Sequence, residues 1–299
     1  IDELRLDASA VLGDPATWGN GGGNVGLGDG TQTSAVAVGS AAGTTTVLSH
    51  GLALRGSDGS AGGSAQIGYR SGGASGVGDI SIEFKGGDVV LQGGAASGAS
   101  VHIGHSGIGG DHSGAISLQT GAPFDLSLLA GTGANAYAQI GHAGPSHQGS
   151  ASGDLAISPL GDLVLAGGGN GAYAQIGHGG VNSGSTSTAR SGDIDLLTES
   201  TSVRGGTGLT SYAQIGHGGS GAKGSVFDGA VSLVATQGID IVGGLGGLAY
   251  AQIGHGGAMA HADMDGAVTV EAGGDVAVRS VNLATLGYAK IGHGDDLRG

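Results

Sequence analysis

Six histidines recur in one setting: His105, His142, His178, His217, His255 and His293 each follow an Ile-Gly pair, and Tyr69 takes that place one copy earlier. The fullest copies read "AYAQIGHAG" at 136–144, "AYAQIGHGG" at 172–180 and 249–257, and "SYAQIGHGG" at 211–219. An imidazole moves protons near neutrality and ligates metals, so a file of six could serve either chemistry. A closed zinc site needs four ligands converging at about 2 Å, and a linear column supplies them poorly. General acid–base catalysis needs one convergence of acid and base on one cleft, whereas this setting returns in copy after copy. The expectation is therefore structural. Each ring sits neutral at the inner end of its strand, hydrogen-bonded to turn backbone, and like charges in a file make the column resist protonation.

The other chemistry-bearing residues are weighed in the same way. A Gly-His-Gly triplet near aspartates, with "GDD" at Gly294–Asp296, is superficially similar to polygalacturonases, but the triplet's repetition at 178, 217, 255 and 293 argues against an active site. No enzyme activity is expected. The stretch "GGGNVGLGDG" at 21–30 has the letters of calcium-binding nonapeptides without their spacing, and Thr44, Thr45 and Thr46 are consecutive rather than alternating as an ice-binding face requires. No cofactor or metal is expected. Two files precede the histidines: Tyr137, Tyr173, Tyr212, Tyr250 and Tyr288, and Gln66, Gln139, Gln175, Gln214 and Gln252. Alternation places both on the outward face of the motif strand, either as self-stabilising ladders or as a stripe for a partner.

Composition narrows the architecture. Glycine supplies 71 of 299 residues, and there are ten lysines plus arginines, three phenylalanines, one tryptophan and no cysteine. That inventory argues against a core of large side chains, and neither collagen's strict period nor its proline is present. The net charge of −14 argues against nucleic acid and against adsorption to anionic lipid. No apolar run approaches the roughly 18–20 residues of a membrane span. Acidity, glycine and the lack of cysteine suit a bacterial exoprotein, and the initial Ile1 suggests a processed or excerpted chain.

The elements that must position these files follow from the period. Ile67, Ile103, Ile140, Ile176, Ile215, Ile253 and Ile291 are separated by 36, 37, 36, 39, 38 and 38 residues. Between them recur two further alternating segments, of the types "GDISIEF" (78–84) and "GDVVLQGG" (87–94). Period-two alternation over four to six residues signals strands. Three short strands per unit, joined by Gly/Ser turns, predict an all-β fold: a right-handed parallel β-helix, or β-solenoid, with one coil of about 37 residues per unit. Seven coils at a strand spacing of about 4.8 Å rise roughly 35 Å. The repeated "GD" is expected to place Asp against backbone amides at turns. Residues 61–299 form the seven-copy array in a single continuous domain, 31–60 a degenerate coil, and 1–30 a partial coil or end segment. No capping helix follows "IGHGDDLRG", which predicts an exposed sheet edge.

The pattern "GDxxLxGG…YAQIGHGG" across about 61–299 resembles the glycine-rich repeats of filamentous-haemagglutinin-type bacterial exoproteins. That resemblance implies a secreted adhesin or surface filament, extracellular or at the cell surface, with a right-handed parallel β-helix. Two functions are expected from it: a rod segment or filament subunit that self-associates end to end, or an adhesin that grips a carbohydrate or protein receptor through the Tyr/Gln stripe or loops.

Overall fold

The structure, a computed structural model, describes residues 3–7, 25–26, 36–39, 41–59, 61–281 and 287–294. Trp18, Asp295, Asp296 and most of 21–30 lie outside the described residues. Every regular element among those described is a β-strand, and every pairing is parallel. The strands stack as a β-solenoid of about six turns, with equivalent residues about 37 apart.

Three lanes correspond to the three repeated segments. The motif lane runs Val36–Val38, Ala65–Ile67, Val101–Ile103, Ala138–Ile140, Ala174–Ile176, Ala213–Ile215, Ala251–Ile253 and Ala289–Ile291. Its register places Ile67, Ile103, Ile140, Ile176, Ile215, Ile253 and Ile291 in one column with Val38 at its head. The first apolar lane includes Thr45–Ser49, Ile80–Phe84, Ile194–Thr198, Val231–Ala235 and Val268–Ala272; the second includes Gly51–Arg55, Val89–Gln92, Ser200–Arg204, Ile239–Val242 and Val276–Arg279. In Ile116–Leu129 and Leu155–Ala166 the two run on as one bent strand. Residues 36–55 thus carry one strand in each lane, and Glu3–Asp7 pairs in register with Gly51–Arg55.

A fourth, shorter lane joins these: Gly76–Val77, His112–Ser113, Ala151–Ser152, Ala189–Ser191, Lys223–Asp228 and His261–Met264. Strands of two or three residues carry too little alternation to be read from sequence. The lane fills the long stretch between the histidine corner and the next "GD" strand.

Alternate side chains of the two apolar lanes and the Ala/Ile positions of the motif lane form one core from Val47 to Ile253, aliphatic apart from Phe84 and Phe124. Small side chains suffice because each coil covers its neighbour over both edges. The corners require glycine at one recurrent site. Gly177 has φ +147°, and a Cβ there would run into the carbonyl oxygen of Gly216 in the next coil. The "GD" aspartates bond across coils rather than within their own turn: the Asp79 Oδ1 accepts from the Ala115 amide at 2.8 Å, Asp154 from Asp193 at 3.0 Å and Asp193 from Ala230 at 2.8 Å.

Candidate functional site

The histidine corner is one arrangement repeated along the rod. The backbone N–H of each residue donates to Nδ1 of the histidine one coil on: Tyr69 to His105 at 3.0 Å, His105 to His142 at 3.0 Å, His142 to His178 at 2.8 Å, and so through His217, His255 and His293 at 3.0 Å. On the far side of each ring, Nε2 lies 2.7–2.9 Å from a glycine carbonyl, successively Gly78, Gly114, Gly153, Gly192, Gly229 and Gly266. An amide donor on one nitrogen and a carbonyl acceptor on the other fix a single state: Nδ1 bare, Nε2–H, ring neutral. Successive rings stack 4.8–5.1 Å apart.

Burial is the largest cause of a low pKa from His105 to His255. It holds His142 and His217 at about 3 and His255 at about 4, with repulsion between neighbouring rings adding to it. His178 lies well below the ordinary imidazole value, and His105 is lowered too. Desolvation thus outweighs the like-charge repulsion on which the sequence argument rests. Both ring nitrogens are engaged by backbone, so the column has no lone pair to offer a metal or a substrate. Among the described residues, no three His, Asp or Glu side chains come together as a metal-ligand set.

The tyrosine and glutamine files depart from expectation. Alternation places them outward, but Tyr173, Tyr212 and Tyr250 are wholly buried, as are Gln139, Gln175, Gln214 and Gln252, and Gln66 nearly so. The reason is the segment after each histidine, which folds back over the motif strand; a Cβ on Gly180 would meet the Tyr173 hydroxyl and the backbone of Gly144. A second core results, with the tyrosines packed against Ala258 and Val181. Tyr137, Tyr173, Tyr212, Tyr250 and Tyr288 stack 4.7–5.0 Å apart, within 8° of parallel. From Tyr173 onward each hydroxyl donates to the glutamine one coil before: Tyr173 to Gln139 at 2.9 Å, Tyr212 to Gln175 at 3.1 Å, Tyr250 to Gln214 and Tyr288 to Gln252 at 2.9 Å. The glutamine Nε2 in turn donates to corner carbonyls, as Gln175 does to Gly216 at 3.0 Å and Gly218 at 3.2 Å. The buried polar atoms of the glutamines and of the corner histidines are thereby matched, whereas Nδ1 of His102, which stands in the glutamine column, has no hydrogen-bond partner. No outward Tyr/Gln stripe exists for a receptor.

The glutamine column is interrupted by His102, in register between Gln66 and Gln139, and ends with Lys290 beside Gln252. His102 is buried, and desolvation lowers its pKa to about 4.

The short lane holds residues that sequence reasoning passed over. Its inward column runs His112, Ala151, Arg190, Phe227 and Met264. Arg190 is 0% exposed, and its guanidinium donates to the carbonyls of Gly149 and Ala189, both at 2.8 Å. Burial lowers its pKa to about 10. Beside it in sequence stand only Ala189 and Ser191, so no local signal marks the arginine as internal.

No known family model, curated protein or solved structure matches the chain.

Proposed function

We propose that this chain is a structural segment of a secreted bacterial surface filament, in which coils stack end to end and sheets run on from one copy into the next. The observation that supports it most is the state of the last described coil. Val276, Val278 and Ile291 stand in register with Ile239, Ile241 and Ile253. Those three partners are buried, whereas Val276 is 46% exposed, Val278 44% and Ile291 37%. A further coil of the same shape would take these side chains out of water. It would also pair the edges of Val268–Ala272, Val276–Arg279 and Ala289–Ile291, which have a strand neighbour on one side only among the described residues. In the filament that coil belongs to another copy. The likeness of the "YAQIGHGG" units to filamentous-haemagglutinin-type repeats supports the same reading, as does the neutral, fully satisfied histidine corner, which serves cohesion rather than chemistry.

Negative-stain images of the purified chain test this. Long fibres of constant width are expected, and isolated short rods would contradict the proposal. A double variant, Val278→Lys with Ile291→Lys, sets two ammonium groups on the stacking edge; it should shorten the fibres while leaving the far-ultraviolet circular dichroism unchanged. Fibres of undiminished length in that variant count against this edge as the joint.

A further inference from the structure

The tyrosine ladder begins at Tyr137, whose ring lines a cleft with the chemistry of a binding site. The backbone bond that marks the ladder position, from the following amide to the carbonyl one coil on, recurs from Ala65 to Ser100, Val101 to Tyr137 and Ala138 to Tyr173. One column therefore runs Ser64, Ser100, Tyr137, Tyr173 and onward. The two serines put no stacked ring on the N-terminal side of Tyr137, which there meets only the edge-on ring of His102 at 6.0 Å, while its other face stacks on Tyr173 at 5.0 Å. A cleft of about 370 Å³ opens at this point, lined by Tyr137, Arg70, Ser100, Ser106, Asn135 and Pro145 among others. That volume falls within the range of small-molecule sites.

Its far wall carries a cation. Arg70 donates to the Ser64 hydroxyl, so its guanidinium is tied at the column position two coils before Tyr137. Two strand spacings are about 9–10 Å, and the column position between them, Ser100, carries no ring; the His102 imidazole of that coil stands to one side, edge-on to Tyr137. The space between guanidinium and tyrosine is thus one ring deep. Among the described residues Arg70 forms no ion pair with a carboxylate.

We propose that this slot binds an aromatic carboxylate, its ring continuing the tyrosine stack on Tyr137 and its carboxylate meeting the Arg70 guanidinium. The inference is independent of the filament reading, because the slot lies along the side of the rod and remote from the edge of Val278 and Ile291.

Isothermal titration calorimetry with para-hydroxyphenylacetate tests it on the full chain. Three comparisons isolate the parts: para-hydroxyphenylacetamide, which lacks the charge; cyclohexylacetate, which lacks the flat ring; and the variants Ser100→Tyr and Arg70→Gln. Saturable binding is expected, weakened at least about tenfold by either ligand change. Ser100→Tyr places the protein's own ring in the slot, so it should abolish binding while keeping or raising the melting temperature. Arg70→Gln should weaken the carboxylate roughly fivefold or more and equalise it with the amide. No binding by the wild-type chain at millimolar ligand overturns the proposal, as does binding that persists in a folded Ser100→Tyr variant or cyclohexylacetate binding as tightly as the aromatic acid.

Discussion

A histidine that accepts an amide proton at Nδ1 and donates from Nε2 has no place for a second proton. Protonation would set two N–H groups against each other in a buried corner, which is the local counterpart of the low values at His142, His217 and His255. The consequence for stability has a definite sign. In the unfolded chain these rings titrate near 6.5, so below that pH the unfolded state binds more protons and the fold loses stability as pH falls. Stability is full above about 6.5 and declines toward pH 4–3. Between pH 6.5 and 5 each of the three rings costs roughly 2 kcal/mol. Urea midpoints measured at pH 7 and pH 5 should therefore fall steeply with little change in slope; a flat profile would contradict the neutral column. In nitrogen-resolved NMR spectra of the folded protein at pH 6, His142, His178, His217 and His255 should all show the neutral Nε2–H tautomer. The same reasoning sets the cost of Gln175→Ala. That change strips the Tyr212 hydroxyl and two corner carbonyls of a buried partner and opens a cavity, for about 2–4 kcal/mol of lost stability, whereas Tyr212→Phe removes one hydrogen bond and costs about 1 kcal/mol.

At the scale of the strand, sequence and structure agree where alternation is long and part where it is short. The "GDISIEF" and "GDVVLQGG" segments show their buried and exposed faces in the letters, since Ile80, Ile82, Val89 and Leu91 alternate with polar or half-buried neighbours. The motif strand has only three paired residues, and both of its faces are dry. Alternation separates Ile140 from Gln139 correctly, but it cannot tell a solvent face from a second core roofed by the next loop. The signal that could have shown it lies in the loop: the "GHGG" glycines have no side chain to keep the loop off the tyrosines. The short lane was hidden for want of length, and with it Arg190. This arginine stands where the next two coils place Phe227 and Met264. A buried guanidinium bonded only to carbonyls bears its full desolvation cost, so Arg190→Met should hold or raise the melting temperature. A drop of several degrees would show that the guanidinium supports the lane. Ile176→Ala, in the shared aliphatic core, is expected to cost about 2–5 kcal/mol in chemical denaturation.

Over the whole molecule, the regular spacing of seven isoleucines was enough to read the coil, its length and the stacking of like on like, because in a solenoid each repeat meets chiefly its neighbours and the sequence period is the structural period. The function is less legible for the same reason. Columns that exist to bind one coil to the next look alike whether they end in solvent, in another copy or, as at Tyr137, in a slot. If one repeat adds one coil with every column kept in register, removing one repeat should remove one coil and nothing else. Deletion of residues 177–215 joins Ile176 to Gly216 and regenerates "AQIGHGG" at the junction, whereas deletion of 177–196 joins a motif strand to the middle of an apolar lane. The first deletion should give a folded protein with cooperative unfolding, an unchanged β-sheet signal per residue and a long dimension in solution scattering shorter by about 4.8 Å; loss of the fold to the same extent as in the second would contradict the coil-by-coil architecture.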